Sequence, residues 1–152
     1  MSKKRIYFGN DHAVYEVKDE IINYLNSLGY EVVDLGAKTE DGRVDYSKYA
    51  IEVGEAVAQD EQGEGILLCG TGIGMSIAAN KVPGVRAAVA YNDSSATLAK
   101  EHNKANIIAL GVREHSVDEI KKMLKSYLEA SFAGGRHINR IAIIDDYEQN
   151  KK

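Results

Sequence analysis

Short apolar runs alternate along the chain with longer stretches in which apolar residues recur every three or four positions. The first such stretch follows the run "RIYF" and predicts a helix over residues 14–28, with Gly29 placed where a helix commonly ends. The run "GILLC" is apolar at nearly every position, which is typical of a strand buried on both faces of a sheet. The same alternation continues almost to the last residue.

The full pattern predicts five strands and six helices. The strands are expected over residues 5–8, 30–36, 65–69, 86–91 and 106–111. The helices are expected over residues 14–28, 46–60, 73–81, 94–102, 117–130 and 138–149, with Ser116 and Glu119 forming a capping box on the fifth. Strands separated by helices indicate right-handed βαβ units. The predicted fold class is therefore α/β: a Rossmann-like three-layer α/β/α sandwich around a five-stranded parallel sheet.

Composition narrows the class of protein. The chain has 152 residues and is 44% hydrophobic, which fits one domain over residues 1–152. A net charge of −4 argues against a nucleic-acid partner, and no apolar run is long enough to suggest a membrane partner. The basic start lacks the apolar core of a signal peptide, and the single cysteine allows neither an internal disulfide nor a cysteine-based zinc site. We therefore expect a cytoplasmic protein without a bound metal.

The loop "CGTGIG" follows the third predicted strand, at the edge of the sheet where α/β proteins bind ligands. Its glycines let the backbone approach a ligand and point N–H groups at it, while the next helix presents its N-terminus to an anion. The loop is not a Walker motif, since it lacks the Gly-Lys-Ser/Thr ending, and Met75 stands where a dinucleotide fingerprint needs glycine. The remaining interpretation is a hole for a small anion, either a phosphate or a developing oxyanion.

Cys69, the residue that begins this loop, has two interpretations. A lone cysteine is commonly a small buried apolar residue. A cysteine between a strand and a helix N-terminus is also in a position that favours the thiolate, which can act as a nucleophile or as a base that abstracts a proton. The residue pattern alone leaves both open.

Polar residues follow other strands. Asp11 comes after the first strand and Arg113 after the fifth, so we expect both at the same sheet edge as Cys69. Arg136 and Arg140 are four residues apart after two glycines, which on a helix places two guanidinium groups on one face, as suits a phosphate. Each of these residues could equally be a solvated or capping side chain.

Several segments together resemble one known family. They are "GNDHAVYEVK", "VDYSKYA", "GILLCGTGIGMSIAANKVPGVRAA", "EHNKANIIALGVR" and "FAGGRHINR". In this order they resemble the type B ribose-5-phosphate isomerases of the ribose/galactose isomerase family, from Ile6 to about Ile144. The resemblance implies interconversion of ribose 5-phosphate and ribulose 5-phosphate without metal or cofactor. It also implies a homodimer, in some members a dimer of dimers, whose active sites draw on both subunits.

The resemblance also implies catalytic roles. Cys69 matches the base that moves a proton through a cis-enediolate, and the loop with Thr71 matches the anion hole that stabilises this intermediate. Asp11 and His102 match residues near the sugar ring oxygen, with His102 opening the ring. The backbone amides of the anion hole belong to Gly70, Thr71, Gly72, Ile73 and Gly74.

The remaining implied roles concern substrate binding. Arg136 and Arg140 match a phosphate clamp. His12, Arg113 and His137 match neighbours of this clamp. Tyr46 and Asn103 match pocket-lining positions. The C-terminal helix over residues 138–149 is expected in dimer contacts.

Alternatives remain at this stage. Val14 replaces the usual glycine of the family's first loop, and this difference could narrow the pocket or only change local packing. The substrate could then be a hexose 6-phosphate, such as allose or galactose 6-phosphate. Two alternatives to an isomerase also remain open. One is a non-catalytic phosphate- or nucleotide-binding module, and the other is a cysteine hydrolase.

Overall fold

The computed structural model describes residues 4–151; residues 1–3 and 152 of the predicted domain lie outside the described part of the chain. The strands are β1 (Arg5–Asn10), β2 (Glu31–Asp34), β3 (Gly63–Cys69), β4 (Ala87–Val89) and β5 (Ile107–Gly111). The helices are α1 (Lys18–Ser27), α2 (Tyr46–Ala58), α3 (Ile73–Ala79), α4 (Asp93–Glu101), α5 (Val117–Glu129) and α6 (His137–Asn150). Short 3₁₀ turns occupy His12–Val14 and Thr39–Asp41. The predicted α/β fold with a five-stranded parallel sheet is confirmed.

The strands are all parallel and lie in the order β2-β1-β3-β5-β4. From β1 the chain goes outward to β2 on one side and then returns to place β3 on the other side. The strand order therefore changes direction between β1 and β3, and α/β sheets hold their ligands in the crevice outside the carboxyl ends of such a strand pair. Asp11 and Cys69 lie at this point.

The core has two halves, one on each face of the sheet. Alternate β3 residues serve the two halves, with Ile66 and Leu68 on one face and Leu67 and Cys69 on the other. The first half packs against α1, α4 and α5, and the second against α2 and α3. The sheet is covered on both faces, as the apolar run of β3 predicts.

The start of the first helix differs from the sequence prediction. Asp11 caps a 3₁₀ turn by accepting a hydrogen bond from the Ala13 N–H, and α1 begins only at Lys18. The Val14 side chain, with no exposed surface, lies in the core beside Phe8. Val14 therefore packs in the core and contributes no exposed surface. The other predicted boundaries agree with the structure to within two residues.

The last helix, α6, stands apart from this core. Of its residues only His137 and Ile141 are buried. Apolar residues such as Ile143 and Tyr147, each about two-thirds exposed, lie on its surface. Within residues 4–151 no helix combines the length and the hydropathy needed to cross a membrane.

Candidate active site

Cys69 ends β3 with its thiol turned into the glycine loop. The N–H of Gly72 donates a hydrogen bond to Sγ of Cys69, with 3.1 Å between the two atoms. This contact requires Gly72 at a φ of +83°, a left-handed conformation that glycine adopts without strain. The donated hydrogen bond holds the sulfur against the loop. Cys69 is buried, with 5% of its surface exposed.

The loop after Cys69 offers backbone donors. The Ile73 N–H donates to Oγ1 of its neighbour Thr71 over 3.2 Å. Within residues 4–151 the N–H groups of Gly70, Thr71 and Gly74 have no acceptor. These unused donors beside a thiol form the kind of site that stabilises a developing oxyanion.

Strand β5 and the residues after it brace this loop. The Arg113 N–H donates to the Gly70 carbonyl over 3.0 Å, and its guanidinium lies beside the Gly70 Cα. A side chain at Gly111 would come within 2.7 Å of the Thr71 backbone. The end of β5 therefore holds the loop in place, and Arg113 adds a positive charge beside Gly70.

Tyr46 covers the other side of the loop. Its ring occupies the space that a Cβ atom on Gly74 would fill, and about two-fifths of Tyr46 is exposed. The side chain of Ile73 is also exposed beside the loop. An aromatic wall thus stands next to the free N–H groups.

Residues after β1 complete this cluster. Asp11 is buried, accepts a hydrogen bond from the Ala13 N–H over 2.9 Å and donates its own N–H to Leu68 of β3. Nδ1 of His12 accepts a hydrogen bond from the Val44 N–H over 3.1 Å. The neutral ring therefore carries its proton on Nε2. We call these residues the Cys69 cluster: Asp11, His12, Tyr46, Cys69, Gly70, Thr71, Gly72, Ile73, Gly74 and Arg113.

Asn10, which the sequence pattern did not indicate, supports the Cys69 cluster. Asn10 is fully buried, and its amide donates to the carbonyls of Asp11 and Ala37. A side chain at Gly36 would collide with it. Asn10 precedes Asp11 in the segment "GNDH", but its inward orientation became apparent only from the strand register.

The other predicted residues form a separate group. The rings of His102 and His137 stack with 4.3 Å between their centroids and 19° between their planes. His102 follows the end of α4, while Arg136 and His137 lie at the start of α6 and Arg140 one turn further on. We call this group the His102 cluster: His102, Asn103, Arg136, His137 and Arg140.

The His102 cluster is electropositive. Burial lowers the pKa of His137 below its usual value, and the neighbouring charges of His102, Arg136 and Arg140 lower it further. Both arginines are exposed at the surface of α6. Two guanidinium groups beside a stacked imidazole pair can bind a phosphate group.

The two clusters lie at opposite edges of the sheet. Cys69 pairs with Gly111 at the carboxyl end of β5, whereas His102 precedes Ile107, where β5 begins. Five strand residues from Ile107 to Gly111 span about 13 Å. One chain therefore brings Asp11, Cys69 and Arg113 to one edge, as expected, and keeps the His102 cluster away from them. Among residues 4–151 no three or more His, Cys, Asp or Glu side chains are grouped so that they could hold a metal ion.

Known proteins resemble this chain over nearly its full length. The profile of the Ribose/Galactose Isomerase family matches residues 6–144. The chain is 43% identical to ribose-5-phosphate isomerase B of Escherichia coli, over 97% of this chain and 99% of the relative. It is 41% identical to ribose-5-phosphate isomerase B of Mycobacterium tuberculosis, over 98% of this chain and 93% of the relative.

Solved structures give the same result. The Clostridium thermocellum ribose-5-phosphate isomerase B superimposes with a TM-score of 0.92 and 44% identity, covering 97% of this chain and 99% of that one. The Mycoplasma genitalium enzyme, solved with bound ribulose-5-phosphate, gives a TM-score of 0.91 and 38% identity, covering 95% and 96%. The similarity extends over the fold and nearly the full length, and the chain belongs to the ribose/galactose isomerase family.

Proposed function

We propose that this protein is a ribose-5-phosphate isomerase, which interconverts ribose 5-phosphate and ribulose 5-phosphate. The observation that carries the proposal is the thiol of Cys69 beside the free N–H groups of its loop, with the Gly72 N–H donating to the sulfur over 3.1 Å. The relatives named ribose-5-phosphate isomerase B and the M. genitalium structure with bound ribulose-5-phosphate support the choice of substrate.

Proton transfer is assigned to Cys69. The thiolate removes the proton from C2 of the open-chain aldose, and negative charge develops on the oxygen at C1. The free N–H groups of Gly70, Thr71 and Gly74 stabilise this cis-enediolate. The hydroxyl proton on O2 then passes to O1, and the thiol returns the carbon-bound proton to C1, which gives the ketose. Because one carbon is oxidised as its neighbour is reduced, the reaction needs no external cofactor.

Ring opening comes before this proton transfer. Ribose 5-phosphate enters as a furanose, and His102 protonates the ring oxygen while the anomeric hydroxyl gives up its proton and the ring opens, with Asp11 nearby. The ring of His137 stacks on His102 and holds its plane. Burial and the neighbouring charges lower the pKa of His137, which disfavours a second positive charge beside His102.

Phosphate binding is assigned to Arg136 and Arg140, whose exposed guanidinium groups share the start of α6. The remaining substrate-binding residues are His12, Tyr46, Ile73, Asn103, Arg113 and His137. The Nε2–H of His12 and the guanidinium of Arg113 face the sugar from the Cys69 cluster.

We further propose a homodimer, which can pair into a tetramer, in which each active site joins the Cys69 cluster of one subunit to the His102 cluster of the other. The separation of the two clusters within one chain supports this arrangement. The exposed apolar residues of α6, including Ile143, Ile144 and Tyr147, supply a surface for the contact. A dimer axis that brings α6 to a neighbouring subunit completes two equal sites.

Mixing two inactive variants tests the shared site. In a heterodimer of Cys69→Ala and His102→Asn chains, one site carries both substitutions and the other carries neither. Random exchange of subunits therefore restores about a quarter of wild-type activity. If each chain held a complete site, every site in the mixture would carry one substitution and no activity would return.

The substrate is tested by comparing turnover of ribose 5-phosphate, allose 6-phosphate and galactose 6-phosphate. We expect turnover of ribose 5-phosphate to be fastest and to disappear in Cys69→Ala. Turnover of only a hexose phosphate would keep the mechanism and change the substrate, and binding without turnover would indicate a phosphate-binding module. The proposed location is the cytoplasm, where a thiol base stays reduced, and the proposed unit is a single domain over residues 1–152.

A further inference from the structure

A charged network is buried near the amino end of β3, at the edge of the sheet opposite Cys69. Nζ of Lys100 lies 3.0 Å from Oε2 of Glu64, and the side chains are 9% and 12% exposed. The hydroxyl of Tyr127, a fully buried residue, lies 2.7 Å from Oε1 of Glu64. The Lys100 ammonium also stands 4.1 Å from the centre of the Tyr127 ring. Glu64 thus links strand β3 to helices α4 and α5.

Such a network is not the simplest way to fill a core. Replacing a buried ion pair with apolar side chains of similar size is often neutral for stability or even stabilising, because the charges no longer have to leave water. Burial here lowers the pKa of Lys100 against the opposing pull of Glu64, and burial with Glu64 raises the pKa of Tyr127. The proton-transfer chemistry assigned to Cys69 uses none of these three residues. The role of the three residues therefore depends on which segments their ion pair and hydrogen bonds hold together.

Those contacts converge on the segment that carries His102. Lys100 is two residues before His102, and the Tyr127 hydroxyl also lies 2.9 Å from the carbonyl of Ala105, three residues after it. The Ala105 N–H in turn donates to the carbonyl of Ala99. Both sides of the His102 turn are thus tied to the network.

The same contacts reach the segment that carries His137. Tyr127 lies in the last turn of α5, and the chain after it leads to α6. This segment is attached to the end of α4 by the Ala133 N–H, which donates to the Glu101 carbonyl over 2.9 Å. Nζ of Lys104 stands 5.5 Å from the centre of the Phe132 ring. The ends of α4 and α5 therefore set where the two imidazoles meet.

We propose that Glu64 is a positioning residue for the His102–His137 pair, acting through Lys100 and Tyr127. The carboxylate does not touch the substrate. It fixes the ends of α4 and α5 so that the two rings stack and His102 keeps the orientation needed for ring opening. The catalytic part of this inference rests on the function proposed above.

The main test is a double variant, Glu64→Gln with Lys100→Met, which removes both charges together and leaves no unpaired ion. Four properties are measured on the full-length protein: the urea midpoint of unfolding, the NMR shifts of the His102 and His137 ring protons, turnover of ribose 5-phosphate, and deuterium exchange at C1 of ribulose 5-phosphate. The ring-proton signals are assigned from His102→Asn and His137→Gln spectra. The exchange reaction needs Cys69 but no ring opening, since ribulose 5-phosphate is an open chain.

We expect the double variant to keep its unfolding midpoint while the ring-proton shifts move toward those of free histidine. Turnover of ribose 5-phosphate should fall about tenfold or more, as misplaced catalytic groups commonly cause, while C1 exchange stays within about twofold. The control is Glu20→Gln, which breaks the exposed Lys121–Glu20 pair that joins α5 to α1 over 2.7 Å. It should change neither the ring protons nor turnover.

Unchanged ring-proton shifts in the double variant would overturn the proposal. So would unchanged turnover in the double variant, provided that the wild-type protein is active. Equal losses of turnover and C1 exchange would also overturn it, because they would indicate general loosening. If the double variant does not fold, Tyr127→Phe decides by the same criteria, since it keeps the ring and loses only the hydroxyl contacts. A wild-type protein without isomerase activity would refute the proposed function, and the ring-proton shifts would still decide the positioning role.

Discussion

The backbone N–H of Gly72 points at the sulfur of Cys69, with 3.1 Å between nitrogen and Sγ. A strand that ends in cysteine and a turn that needs glycine at a positive φ create this contact together. The thiol is thereby held beside N–H groups that have no acceptor in the described part of the chain. The thiol and the N–H groups that the proposed base and anion hole require thus come from one short segment.

Replacing the thiol should remove the base. In Cys69→Ala we expect the turnover number to fall by a factor of about a hundred or more, the usual effect of losing a general base. Deuterium from solvent should no longer enter C1 of ribulose 5-phosphate. Steady-state kinetics and NMR of the sugar measure the two effects.

The matched control for this change is Ser76→Ala. The Ser76 hydroxyl donates to the Ile73 carbonyl in α3, whereas the hydrogen bond to the sulfur comes from the Gly72 N–H. This variant should retain turnover within a few-fold of wild type. An active Cys69→Ala enzyme would remove the thiol from the mechanism.

A second prediction concerns the floor of the glycine loop. A Cβ atom at Gly111 would lie 2.7 Å from backbone atoms of Thr71. Backbone atoms cannot move aside as the end of a flexible side chain can. Gly111→Ala should displace the loop, so we expect losses of both thermal stability and turnover. Calorimetry and kinetics on the same preparation measure them.

Gly29→Ala separates these two effects. Gly29 has a φ of +95° and open space around its Cα, so alanine there costs about 1–2 kcal/mol of backbone strain without touching the loop. This variant should lose stability and keep its turnover number. Full activity in Gly111→Ala would contradict the role of this close contact.

The sequence predicted the fold well for physical reasons. Apolar periodicity determines which face of each element is buried, and α5 shows this most clearly, with its capping box at Ser116 and Glu119 where expected. The first helix was wrong at its start because Asp11 caps a 3₁₀ turn, a local hydrogen bond that the apolar spacing of Val14 and Val17 does not reveal. The order of the strands also lay beyond periodicity, since it depends on contacts between distant segments.

The candidate site was predictable only in part. The rule that parallel strands bring their carboxyl ends together correctly grouped Asp11, Cys69 and Arg113. The stack of His102 on His137 and the buried contacts of Asn10 depend on side-chain directions across distant elements. The spacing of residues within one segment does not predict a contact between side chains of two distant segments.

The phosphate clamp gives a third prediction. Arg140→Ala removes one exposed guanidinium from the start of α6, and we expect it chiefly to raise KM for ribose 5-phosphate, by about tenfold. Lys125→Ala removes an exposed positive charge from α5 and serves as the charge-matched control. Initial rates at several ionic strengths compare the two. An unaltered KM in Arg140→Ala would refute the clamp assignment.

Ring opening gives a fourth prediction. His102→Asn keeps a polar side chain at the end of α4 but cannot exchange a proton with the sugar ring oxygen. Turnover of ribose 5-phosphate should fall by a factor of about a hundred. Deuterium exchange at C1 of ribulose 5-phosphate should fall much less, because that sugar has no ring to open. Equal losses in the two assays would mean that His102 serves proton transfer at carbon instead.

The lowered pKa of His137 makes stability depend on pH. Burial and the nearby charges of His102, Arg136 and Arg140 hold its folded pKa below the usual 6.5. As pH falls below about 6.5, the unfolded chain takes up a proton that the folded protein resists, so the free energy of unfolding decreases. The free energy of unfolding is thus highest above the unfolded pKa, and it decreases as the pH falls from there toward the lower folded pKa of His137.

Unfolding in urea at a series of pH values between about 7.5 and 5, at one protein concentration, measures this dependence. We expect a smaller loss of stability on acidification in His137→Gln than in wild type, because glutamine takes up no proton. His115→Gln, which removes a histidine outside both clusters, is measured beside it for comparison. Identical slopes in wild type and His137→Gln would show that acid acts elsewhere, and that the stacked pair does not depend on a neutral His137.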